Sequence, residues 1–217
     1  MKKNDIYKKL VLGLLFIFPL LVYLFFASGK NNFAKLPILT KLVMDLPVIG
    51  QAPRLKDHIT ILGYWGGSLE NKKAEALNLN EKIYKRFYQF EDFQFVFLVD
   101  SSRVKQVSEL KKSLKQGVGT DLSRWNFIPV SSEDIKMHFS SLKTPLSLEK
   151  DNSSPFVFII DKDLNLRGRD DDENSGILHG FDARSVAQIN KKMIDDVKVI
   201  LAEYRLALKI YNSKRIK

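Results

Sequence analysis

Phe93-Gln94-Phe95-Val96-Phe97-Leu98-Val99-Asp100 decides the fold. The run is almost continuously apolar, which is what a strand covered on both faces requires. Upstream, His58-Ile-Thr-Ile-Leu-Gly-Tyr-Trp65 is a second β-branched and aromatic run, closed by Gly66-Gly67. Between the two, Ala76, Leu79, Ile83, Phe87 and Phe90 recur at three- and four-residue spacing. That spacing predicts a helix over 69–89, opened by Ser68 and carrying Glu70 in its first turn.

The alternation continues downstream. Val107, Leu110 and Leu114 form the stripe of a helix over 104–115, stopped at Gly117-Val118-Gly119. Trp125 to Val130 reads as a short strand, and Ser131 or Ser132 caps a helix whose first turn holds Glu133 and Asp134. Residues 155–170 read as a hairpin turning at Asp161-Lys162-Asp163. From Arg184 to about Tyr211, Val186, Ile189, Met193, Val197, Ile200, Leu201, Tyr204 and Leu208 mark the longest and last helix. The order β–α–β–α–β–α–β–β–α predicts an α/β fold, a thioredoxin-like mixed sheet flanked by helices.

Ahead of this body, Leu10 to Ala27 is an unbroken apolar run of 18 residues, a segment in which Pro19 is tolerated. As a helix it rises about 27 Å, close to a hydrocarbon core. Four lysines precede it and two follow, so the positive-inside rule puts the N-terminus in the cytoplasm and the body in the periplasm or another extracytoplasmic space. The rival reading is a signal peptide cleaved near Ala27-Ser28-Gly29, against which the length of the apolar run argues. The organisation expected is a basic tail over 1–9, a transmembrane anchor over 10–27, a linker over 28–55, the thioredoxin-like domain over 56–211 and a basic tail over 212–217.

The formal charge of +10 is terminal: residues 1–35 carry +5 and residues 201–217 carry +4, leaving +1 for everything between. A nucleic-acid-binding module wears its positive stripe on the folded body, so no nucleic-acid partner is expected. The chain also has no cysteine. Disulfides, thiolate nucleophiles, Cys-ligated metals and dithiol redox cycling are thereby excluded.

Arg124-Trp125-Asn126-Phe127 and Phe156-Val-Phe-Ile-Ile-Asp161-Lys-Asp-Leu-Asn-Leu-Arg167-Gly168, with the closing helix from Val197 to Tyr204, resemble segments of the Sco (SenC-type) family over nearly the whole chain. These are membrane-anchored, thioredoxin-like copper chaperones of cytochrome oxidase assembly. The resemblance implies a Cys-x-x-x-Cys motif after the first central strand and a histidine before the late hairpin, together binding copper. In this chain the first slot reads Gly66-Gly-Ser-Leu-Glu-Asn-Lys72 and the second falls at Ser153. Neither offers the soft thiolate and imidazole donors that select Cu(I). The chain therefore reads as a divergent member without copper, catalytic residues or any cofactor. Gly66, Gly67, Ser68, Asn71, Ser153 and Pro155 are left as a docking surface for oxidase assembly factors or another membrane complex.

Other candidates are weaker. His58, His138 and His179 are isolated in sequence, with no pair at ligand spacing. The acidic loop 170–173 with His179 supports an alternative reading as an enzyme of unrecognised type, and stable membership of a larger membrane complex is a further alternative. A calcium loop from Asp161 fails at its sixth place, which is Leu166 where glycine is needed. No phosphate-binding glycine loop or serine elbow is present. Ser154-Pro155 reads either as the cis-proline turn of thioredoxin-like folds or as a plain strand-start proline. Tyr64 and Trp65 read as core or as cleft lining.

Overall fold

The computed structural model describes residues 3–28, 34–46, 53–118 and 121–215. Gly119, Gly29 of the cleavage alternative, residues 47–52 of the segment read as a linker and the last two residues of the basic tail lie outside them. The chain divides into two units, residues 1–34 and residues 35–217. The first contains helix α1, Lys3–Ser28, in which Ile6–Phe26 is long and apolar enough to cross a membrane, with a mean hydropathy of 2.4. Pro19 lies inside it without ending it.

The second unit is a mixed sheet with helices on its faces. Its strands are β1 (Ile38–Thr40), β2 (Ile59–Trp65), β3 (Phe93–Asp100), β4 (Trp125–Val130), β5 (Ser153–Ile160) and β6 (Leu166–Arg167). They run in the order β1-β6-β5-β2-β3-β4. β2, β3 and β4 are parallel, β5 runs antiparallel to β2, and β6 returns antiparallel to β5 as the late hairpin requires. A short strand β9, Phe181–Asp182, also pairs with β5. Beside the sheet, β7 (Arg169–Asp172) and β8 (Gly176–Leu178) form a separate two-stranded ribbon.

β2 and β3 are buried at every position except Asp100, so these two strands sit between two cores. One face packs Trp65, Phe93, Phe95, Phe97 and Trp125 against the helices; Trp65 stacks on Phe97 with centroids 3.9 Å apart. The other packs Leu62, Tyr64, Val96 and Phe158 under Phe139 and Leu142. Tyr64 and Trp65 are thus core residues on opposite faces, as successive strand positions must be.

The helices follow the periodicity with local changes of pitch. The segment read as one helix over 69–89 is a 3-10 turn at Leu69–Lys72, α2 (Lys73–Leu79), a π turn at Asn80–Tyr84 and α3 (Lys85–Phe87). Helix α4 spans Val104–Val118, running on past the Gly117 read as its stop. Helix α5, Ser132–Ser140, starts at Ser131 with a full capping box: the Ser131 hydroxyl accepts from the Asp134 N–H and the Asp134 carboxylate takes the Ser131 N–H. The last helical stretch opens as α6 (Val186–Gln188), passes a π turn at Ile189–Met193 and continues as α7 (Ile194–Arg215). It therefore reaches into the segment read as a basic tail over 212–217.

The segment read as a linker over 28–55 is in part domain. Leu36, Val43, Leu46 and Leu55 are buried, and β1 pairs with β6. The Thr40 hydroxyl donates to the Leu142 carbonyl at 2.7 Å. The stretch is a strap with one short strand, and its apolar residues are buried in the domain.

Candidate functional site

β2 and β5 run antiparallel with Trp65 opposite Ser153, so the loop after the first central strand and the loop before the late hairpin meet at one end of the sheet. Gly66, Gly67 and Ser153 come together there, and all are buried. A Cβ on Gly66 would lie 2.6 Å from the Asp151 carbonyl oxygen, and one on Gly67 would lie 1.8 Å from Asp151 Oδ2. The pair of glycines is what lets the turn at Asp151-Asn152 close onto the sheet end. Asn152 takes a φ of 61°, a left-handed conformation that asparagine tolerates.

Ser153 faces carboxylates. Its Oγ lies 2.6 Å from Asp151 Oδ1 and 3.1 Å from Glu149 Oε2, and its N–H donates to Asp151 Oδ1 at 3.0 Å. Burial pushes the Asp151 carboxyl up, but the Ser153 hydrogen bonds and the charge of Lys72 outweigh it and hold it below its ordinary value. Ser68 is half-buried and precedes the 3-10 turn without a side-chain cap bond; Leu69 N–H donates instead to Gln106 Oε1 at 2.9 Å. Asn71 is exposed. The six sequence-predicted positions therefore split into a packed set, Gly66, Gly67, Ser153 and Pro155, and a rim of Ser68 and Asn71.

Pro155 is a trans residue inside β5. Of the two readings of Ser154-Pro155, the cis turn is overturned. The Pro155 carbonyl accepts the Ala183 N–H at 2.9 Å and Phe156 pairs with Asp182 in β9. The backbone that would pair with an extended peptide is already occupied by the chain itself.

The largest departure from expectation is charge in the interior. Lys72 Nζ and Glu75 Oε1 are 3.0 Å apart with side chains 9% and 7% exposed. Burial raises the Glu75 carboxyl above its ordinary value against the pull of Lys72 and Arg184, and Glu75 Oε2 is buried without a hydrogen-bond partner. Nearby charge continues in Asp182, bound by Arg184 at 2.8 Å. In sequence Lys72 and Glu75 are an ordinary i,i+3 pair, indistinguishable from the exposed pair Glu70 and Lys73. Nothing local marks which of the two pairs the fold buries.

The acidic loop is dispersed. Asp172 is buried, bound by Lys192 Nζ and by the N–H groups of Asn174 and Ser175, and these hold its carboxyl far below the ordinary range. Asp170, Asp171 and Glu173 are exposed. His179 is half-buried, and burial pushes its imidazole down. Asp172 and His179 do line one groove, of about 780 Å³, together with Leu146, Phe156, Gln188 and Lys191. Asp182 and Phe156 join this groove to the packed sheet end. The carboxylate of Asp161 is spent on Arg167 at 2.9 Å and on the N–H groups of its own turn, which leaves no calcium loop. Among the described residues no cluster of three or more His, Asp or Glu side chains is arranged to hold a metal ion.

No protein-family model matches the chain, and no curated protein matches it. Solved structures do. A protein disulfide isomerase candidate from Bacteroides thetaiotaomicron is similar at 11% identity with a TM-score of 0.50, over 78% of this chain and 95% of that one. Together with the sheet order and flanking helices, this likeness defines a thioredoxin-like fold. BsSco, described as a member of the Sco family of cytochrome c oxidase assembly proteins, is similar at 11% identity with a TM-score of 0.51, over 77% of this chain and 98% of that one. The fold is shared with these proteins, and the thiols that their names and the resemblance imply are absent from this sequence.

Proposed function

We propose that this chain is a non-catalytic, membrane-tethered member of the Sco-like branch of the thioredoxin fold, acting by docking within the assembly of a respiratory oxidase or another membrane complex. The observation that carries the reading is the closed sheet end. Where a dithiol and a histidine would converge, Gly66 and Gly67 pack on the Asp151 turn and Ser153 is bound by carboxylates. A buried ion pair stands behind them. Such a set holds a loop in shape and supplies neither soft metal donors nor a redox couple.

Helix α1 supplies the tether, with the lysine-rich N-terminus on the cytoplasmic side and the folded unit outside. Docking uses the rim at Ser68 and Asn71 and the adjoining groove bounded by Phe156 and Asp182. The test is capture of the full chain from membranes in mild detergent, followed by identification of co-purifying proteins. Oxidase subunits or assembly factors are expected, and they should be lost on replacing Asn71 and Ser68 with bulky charged residues. Recovery of the chain alone, with oxidase content and copper loading unchanged in a deletion strain, would overturn the proposal.

A further inference from the structure

Helix α7 carries its charge unevenly. Residues 197–217 hold Lys198, Arg205, Lys209, Lys214, Arg215 and Lys217 against a single acid, Glu203. That acid is turned inward: Glu203 Oε2 accepts from Arg167 Nη2 at 2.6 Å. Lys198 is balanced by Asp195 at 3.0 Å, but no salt bridge to Arg205 forms among the described residues. Positions 198, 202, 205 and 209 recur at four- and three-residue steps, so they share one stripe of the helix.

Against this stripe, α7 and the end of α3 enclose a shallow depression of about 170 Å³, floored by Phe87 and Leu201 and rimmed by Phe90, Lys198, Ala202 and Arg205. Phe90 is 40% exposed. An aromatic ring standing at the rim of a cationic helix face is the arrangement of an interfacial surface, with the ring among headgroups and the cations on phosphates. A stable protein interface needs roughly 800 Å² from each partner with a packed apolar centre. A dent of this size offers one anchoring ring and a field of charge instead.

We propose that this face of α7 docks the folded unit onto an anionic phospholipid surface. The inference rests on the membrane tether described above. In the sequence only residues 29–35, seven in all, separate Ser28 from buried Leu36. A folded unit so tethered meets the bilayer at high effective concentration, and weak contacts suffice to orient it.

The absence of cysteine makes the test clean. The full chain carrying Ala202→Cys, labelled with a polarity-sensitive fluorophore, is reconstituted into vesicles of zwitterionic lipid alone or with phosphatidylglycerol added. The expected result is a blue-shifted emission, quenched by brominated lipid, in the anionic vesicles only. It should vanish in about 1 M salt, where the screening length falls to about 3 Å, and in Arg205→Glu with Lys209→Glu, whose melting is compared with wild type to exclude misfolding. Emission that is the same in both vesicles, or that shifts only on adding an acidic protein, overturns the docking. Flotation with the vesicles reports the tether separately: a chain that fails to float removes the tether, and one that floats without a spectral difference removes the lipid docking alone.

Discussion

Lys72 and Glu75 form an ion pair of 3.0 Å beneath the loop that follows the first central strand, with both side chains under a tenth exposed. Each charge has left water, and each is held by the other. Removing one partner strands the other in the interior, whereas replacing both with apolar groups removes the cost of desolvation.

Lys72→Met is therefore expected to destabilise the folded unit by about 3–5 kcal/mol, the usual range for breaking a buried pair. Lys72→Met with Glu75→Leu should recover most of that loss. Chemical denaturation of the two variants checks the prediction, and a double variant as weak as the single one would contradict it.

The glycine pair should respond unequally. At Gly66 an added Cβ meets the Asp151 carbonyl at 2.6 Å, and the backbone of the turn must move. At Gly67 it meets the Asp151 carboxylate, a side chain able to rotate at the expense of its Ser153 bonds. Gly66→Ala is expected to cost about 1–3 kcal/mol, as overpacking does, and Gly67→Ala less. Equal losses would show the turn to be softer than its packing implies.

Acid should find His138. Burial pushes its imidazole from the ordinary 6.5 down to about 4, and Nδ1 is held 2.8 Å from the Tyr64 hydroxyl. The unfolded chain takes up the proton near 6.5 and the folded chain does not, so this group's stabilisation is complete above that pH and is lost as pH falls towards 4. The full effect is about 3 kcal/mol. His138→Gln should show a shallower decline of stability than wild type between these two pH values. Parallel profiles would rule the residue out as the acid-sensitive group.

Arg167 ties three parts of the chain together. It donates to Asp161 at 2.9 Å, to Glu203 at 2.6 Å and to the Leu36 carbonyl at 2.8 Å. Burial pushes its pKa down, but the two carboxylates outweigh this and raise it. Arg167→Met leaves Asp161 buried without its cation and should cost about 3–5 kcal/mol. It should also free the strap around Leu36, read as faster hydrogen exchange over residues 36–43. A loss confined to α7 would show that the strap is held by its apolar contacts alone.

The elements of the sheet were legible because each strand and helix carries its own period. The runs at 58–65 and 93–100 are apolar on both faces, and the Ser131 cap with Asp134 is a local signature. The docking of residues 35–46 onto the domain was not legible, since Leu36, Val43 and Leu46 show no period and gain their burial from a sheet edge distant in sequence. The candidate site was half legible. That the chain has no cysteine, and where the resemblance would put its ligand slots, could be read by counting from the strands. That Gly66 and Ser153 meet, that Pro155 is already paired to Ala183, and that Lys72 and Glu75 are interior are facts of contact between segments far apart in the chain.

The sequence by itself determined the apolar N-terminal helix, the alternation of strands and helices, the terminal placement of the charge and the exclusion of thiol chemistry. Each of these is a property of composition or of short-range period. Only the tertiary structure decided which ion pairs are buried, which of the candidate positions are exposed and that Glu203 turns inward to Arg167. Burial and pairing depend on what packs against a residue, and no single segment contains that information.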